Sequence, residues 1–150
     1  MKYAVKITLC ILVLLSHLSL FGCGDNAEAK SAVIYDIDEE FISFDKKTVD
    51  FDGTAKGLVD ALISVGSLPE TVCVNDFHTV GKVGWIDLNK AYGDSVRSSS
   101  FAEWAYIGVV VNSFLETYEL EKILITVDGD VLTTGHHGDF DSLLGYKKGL

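Results

Sequence analysis

The chain has little of what usually staples, charges or spans. Its three cysteines stand at 10, 23 and 73, and none forms a Cys-x-x-Cys or a Cys/His set at metal-ligand spacing, which excludes a zinc ribbon or a disulfide framework. Lys and Arg number 12 against 22 Asp and Glu, a net charge of −10. A domain this acidic is repelled by nucleic acid and by anionic headgroups, so neither is an expected partner. No Gly-x-Ser-x-Gly, phosphate-binding loop or Cys–His pair is present, which removes the commonest nucleophilic and phosphate chemistries. No cofactor is expected. The single proline, Pro69, falls in Ser67–Glu70, where it turns the chain. The longest apolar run, Ile7 to Phe21, contains Ser16, His17 and Ser19 and falls short of the roughly 20 residues a membrane span needs.

What that run does offer is an address. Lys2 and Lys6 precede it, and Leu20-Phe21-Gly22-Cys23 closes it. A basic start, a short apolar core and a small residue before a cut make the secretory signal layout. With Leu three places before a cysteine and Gly just before it, the pattern resembles a bacterial lipobox. Cleavage between Gly22 and Cys23 and lipid attachment at Cys23 are therefore expected, leaving a domain held on the extracytoplasmic face of a membrane. One acyl chain anchors only marginally, but two or more suffice without a basic patch. Losing residues 1–22 removes two lysines and no acid, which moves the net charge from −10 to −12. About 130 residues remain, one domain's worth. Residues 23–31 read as a tether, 32–146 as the domain and 147–150 as a tail.

The pattern predicts a strand at Ala32–Asp36, then Phe41–Phe44 and Thr48–Phe51 with a turn near Lys46-Lys47. Ala55, Leu58, Val59, Leu62 and Ile63 share one helical face; Thr54 or Asp52 can cap that helix and Gly66 can end it. Val72–Val80 and Val83–Leu88 form a hairpin around Gly81-Lys82, suited to a type II′ turn. Ser100 and Glu103 make a capping-box pattern ahead of a largely buried helix, Phe101–Tyr118. Ile123–Val127 is a strand, and Asp128-Gly129 turns it into Val131–Thr133. The predicted fold class is α+β: a two-layer sandwich with two helices on one face of a mixed or antiparallel sheet.

Ala61-Leu62-Ile63, Leu68-Pro69 and Gly84-Trp85-Ile86-Asp87-Leu88-Asn89-Lys90 together resemble the signature of the GerMN domain. So do Val110-Val111-Asn112 within the long helix, Ile125-Thr126-Val127-Asp128-Gly129, and Gly135-His136 followed by Asp139-Phe140-Asp141. The resemblance implies a fold similar to ring-building-motif domains, and a place among envelope lipoproteins linked to sporulation and germination. Partners would then be envelope proteins or peptidoglycan, with homo-oligomers a further option. The family contributes no catalytic residues. Gly66-Ser67 replaces its frequent Gly-Pro, and the domain occurs once.

Three places could carry chemistry. His136 and His137 with Asp139 and Asp141 are candidate metal ligands, although adjacent histidines diverge in extended chain. Asp87 is the candidate acid of a wall-cleaving enzyme, which would need a second carboxyl about 5–9.5 Å away and an apolar pocket. Asp36, Asp38, Glu39 and Glu40 lack the spacing of a calcium loop and read as a solvated turn. Cys73 reads as a half-buried strand residue, and the aromatics Tyr35, Phe41, Phe44, Phe51, Trp85, Trp104 and Phe114 as mostly core.

Overall fold

A computed structural model describes residues 30–134, 140 and 142–149. The elements run β1 (Lys30–Ile37), β2 (Phe44–Phe51), α1 (Ala55–Ser64), β3 (Val74–Val80), β4 (Val83–Leu88), α2 (Lys90–Val96), α3 (Ser100–Thr117), β5 (Lys122–Val127) and β6 (Asp130–Val131). The class is α+β, as the pattern of elements indicates. The strands divide into two sheets: a β1–β2 hairpin and a four-stranded sheet in the order β3-β4-β5-β6. β4 and β5 are parallel, which requires a crossover, and α2 with α3 provides it.

α3 organises the rest. From Ala102 to Leu115 it is buried on nearly every side, the state expected of a helix apolar all round. Its few polar side chains do structural work. The Val33 and Tyr35 N–H groups donate to Thr117 Oγ1 at 3.0 Å and to Ser113 Oγ at 2.9 Å, and Thr117 Oγ1 donates back to the Val33 carbonyl. The helix thus covers the edge of β1 that β2 leaves open, satisfying backbone groups that would otherwise invite another strand. Asn112, fully buried, holds Lys147 by its N–H (2.8 Å) and its carbonyl (2.9 Å). Further back, Leu144 bridges to Ile123 of β5. Residues 142–149, which include the start of the predicted tail, are therefore locked to the core through Leu144 and Lys147.

Ile86, Leu88, Ile123 and Ile125 form the buried face of the four-stranded sheet. The opposite face carries the half-buried Val83, Trp85 and Leu124, the two-periodic pattern of a sheet with one wet side. α1 ends as its sequence predicts: Gly66 lies at φ +84, with Ser67 N–H bonded to Leu62 O and Gly66 N–H to Ile63 O, a Schellman closure. Gly81 has φ +59, and Asp128 and Gly129 have φ +50 and +86, the signs of II′ and I′ turns respectively.

Several expectations are corrected. Lys46 and Lys47 do not turn; they pair with Tyr35 and Ile34 inside a continuous β2, because charged residues suit an exposed edge strand. The turn is instead at 38–43. Three helices, not two, occur among the described residues, with α2 capped by Asn89. The cap of α3 is Ser99, whose Oγ accepts from Ala102 N–H at 3.0 Å; Ser100 is already helical, and Glu103 lies buried with Oε2 unpartnered. β3 starts at Val74, β6 is only Asp130–Val131, and β1 begins at Lys30.

Candidate functional site

Asp87 is placed as a brace. One oxygen accepts from Thr126 Oγ1 (2.6 Å) and Gly129 N–H (2.8 Å), the other from Asn75 Nδ2 (2.9 Å). Asn75 also donates to Asp128 at 3.1 Å. Partial burial pushes the Asp87 pKa up, but these donors outweigh it and hold the carboxyl below its ordinary range. A general acid needs the opposite shift. Asp87 therefore ties β4 to the β5–β6 turn and stays ionised.

The other candidates separate in space or in kind. Cys23, Gly22, His136, His137, Asp139 and Asp141 lie outside the described residues. Among the described residues no group of three or more His, Cys, Asp or Glu side chains is positioned to hold a metal ion. Nor is any helix among them long and apolar enough to cross a membrane. Cys73 is exposed, against the expectation of a half-buried strand residue; its backbone bonds to Asn89 just ahead of β3.

The acidic segment does assemble something. Asp38 pins the 38–43 loop: its carboxylate accepts from Ile42 N–H (2.8 Å) and Ser43 Oγ (2.5 Å), and its backbone closes on Phe41 and Ser43. The hydrogen bond from Ser43 leads in holding the Asp38 pKa below its usual value. Within this frame Phe41 sits at φ +60, a left-handed conformation that costs a bulky residue about 1–2 kcal/mol. The residue is 60 % exposed and its ring meets that of Phe101, 41 % exposed, edge to face at 6.0 Å; Ile42 beside it is also exposed. The sequence reading puts Phe41 among mostly core aromatics and Phe101 at the start of a largely buried helix; both are exposed instead. Strained, over-determined backbone of this kind concentrates at binding sites.

The two rings flank a groove of about 220 Å³ whose apolar walls include Ile37, Ala102 and Ala105. Its lining residues with polar side chains are Asp36, Ser67 and Tyr106. Asp36 accepts from Lys47 Nζ (2.6 Å), Ser67 Oγ (2.8 Å) and Ile37 N–H (2.9 Å). Burial raises its pKa, but Lys47 and the other donors bring it below the ordinary value. Nearby, Tyr35 donates to Glu116 at 2.5 Å, and Glu116 also takes Lys46. Of these, the Lys47–Asp36–Ser67 set fixes the polar side of the groove. The arrangement has the parts of a recognition surface: a groove of mixed lining, two exposed rings and a carboxylate already partnered.

No known family pattern matches the chain, and no curated protein does. Solved structures share its fold. One is a Clostridium perfringens protein described as a lipoprotein, with 21 % identity and a TM-score of 0.50 over 82 % of this chain and 91 % of that one. Another is the tandem GerMN domains of the sporulation protein GerM from Bacillus subtilis, with 13 % identity and a TM-score of 0.57. That match covers 85 % of this chain and 48 % of the tandem pair, so the chain spans about half of that structure's length. The fold is GerMN-like.

Proposed function

We propose that the protein is a lipid-anchored, extracytoplasmic, non-catalytic module that works by contact with envelope proteins, in sporulation or in envelope assembly. The anchor rests on Leu20-Phe21-Gly22-Cys23. The observation that carries the contact role is Phe41, a large apolar ring held outward at φ +60 by a loop built to keep it there. With Phe101 and Ile42 it forms a contiguous exposed apolar patch beside a groove, the kind of feature that marks interaction sites.

Lys30 and the 38–43 loop lie at opposite ends of one hairpin. Lys30 opens β1 and pairs with Phe51, whereas the 38–43 loop joins Ile37 to Phe44. Seven residue steps from Lys30 to Ile37 separate them, roughly 23 Å at about 3.3 Å per residue. The chain enters the hairpin at Lys30, and the groove is carried at the hairpin's other end. Lipid on Cys23 sets where the module works; the groove sets what it touches.

Fractionation and turnover test this reading. Cys23→Ser moves the chain from membrane to the soluble extracytoplasmic fraction with its circular dichroism unchanged. The purified chain releases no fragments from cell walls. A Cys23→Ser chain that remains processed and membrane-bound contradicts the anchor, and released wall fragments contradict the non-catalytic assignment.

A further inference from the structure

On the reading of the groove as a docking surface, we infer that its occupant is a protein segment presenting one large apolar side chain flanked by Lys or Arg. The volume sets the first half. About 220 Å³ exceeds the roughly 150 Å³ of an apolar protein cavity that holds a benzene ring, which is room for a single bulky side chain. The lining is mixed: Ile37, Phe41, Phe101, Ala102 and Ala105 are its apolar side chains, and Asp36 and Ser67 already satisfy each other, so an apolar group enters without stranding that pair.

The rim sets the second half. Residues 36–43 read Asp-Ile-Asp-Glu-Glu-Phe-Ile-Ser, with four acids and no base. Lys47 neutralises Asp36. Glu39 and Glu40 are exposed in the turn beside the Phe41 ring, and Asp38 is fixed there by its hydrogen bonds. Basic flanks on the guest meet these charges directly, which raises the association rate and rejects acidic segments. The same charges argue against two other occupants. A second copy docking loop to loop brings like charges together, and an anionic bilayer repels the acids that surround the exposed rings.

The test uses the full chain anchored in neutral phosphatidylcholine vesicles. Fluorescently tagged, end-blocked peptides Lys-Lys-Phe-Lys-Lys, Lys-Lys-Ser-Lys-Lys and Glu-Glu-Phe-Glu-Glu are titrated by anisotropy. The basic phenylalanine peptide binds. Its affinity falls about tenfold or more in Phe41→Ser and in Phe101→Ser, as for exposed aromatic anchors. It also falls in Glu39→Lys/Glu40→Lys and as ionic strength rises from about 0.05 to 0.5 M. Equal binding of the serine or acidic peptide overturns the inference, as does indifference to Phe41→Ser. Self-association of the chain abolished by Phe41→Ser overturns it in favour of a second copy. Loss of Cys23→Ser chain binding to anionic vesicles on Phe41→Ser overturns it in favour of lipid. Crosslinks from position 41 to protein in cells, combined with preference for the acidic peptide, sink the basic-guest inference and leave the docking reading standing. Absence of both crosslinks and peptide binding sinks both.

Discussion

Replacing Phe41 by glycine separates a ring kept for binding from one kept for packing. The substitution removes a left-handed penalty of about 1–2 kcal/mol. Against this stands the edge-to-face contact with Phe101, about 0.5–1.5 kcal/mol. The buried part of the ring adds roughly 1 kcal/mol, since the residue is 60 % exposed and full burial of a large side chain is worth about 1.5–3. The opposing contributions nearly cancel, so the stability of Phe41→Gly lies within about 1 kcal/mol of the parent. Phe114, fully buried, supplies the reference: Phe114→Ala loses about 3–5 kcal/mol. Equilibrium denaturation in urea, followed by the fluorescence of Trp85 and Trp104, measures both. A Phe41→Gly loss above about 2 kcal/mol would refute the reasoning, because Phe41 would then be a packing residue.

Other perturbations probe the frame. Asn112→Ala leaves the Lys147 N–H and carbonyl without their buried partner and destabilises by about 2–4 kcal/mol; hydrogen exchange locates the loss in residues 142–149, and protection there equal to the parent's would contradict the clamp. Glu119→Gly relieves φ +52 at the end of α3 and stabilises by about 1 kcal/mol, since the exposed contact with Lys82 at 3.8 Å contributes little; a lower thermal midpoint would count against it. The depressed pKa values of Asp36, Asp87 and Glu116 give stability that is present above the ordinary carboxylate range and lost as pH falls through the folded values. Asp87→Asn therefore flattens the acid limb of a stability–pH curve, and an unchanged slope would contradict its ionised state.

Turns and periodic stretches of this fold are legible in the sequence, because glycine and helical spacing report local conformation. Gly66, Gly81 and Asp128-Gly129 each occupy the positive φ their position suggests. What escapes has non-local causes. β2 runs through Lys46-Lys47 because the hairpin partner and Glu116 hold it, and neither is visible in a short window. α2 spans seven residues, too few for a periodic signal, although Asn89 at its cap was readable. Exposed Phe41 and Phe101 look like core because composition cannot distinguish a buried ring from a presented one. The positive φ of Phe41 has no glycine to announce it. Asn112 and Ser113 read as polar interruptions in a helix, and only the strand edge and tail they satisfy explain them.

Site-specific photo-crosslinking in intact cells tests the contact role most directly. A photoreactive phenylalanine at position 41 is compared with one at Thr79, exposed on β3. The account predicts a discrete protein adduct from position 41 that disappears with Phe101→Ser, and none from position 79. Equal labelling from both positions, or no adduct from 41, would contradict it.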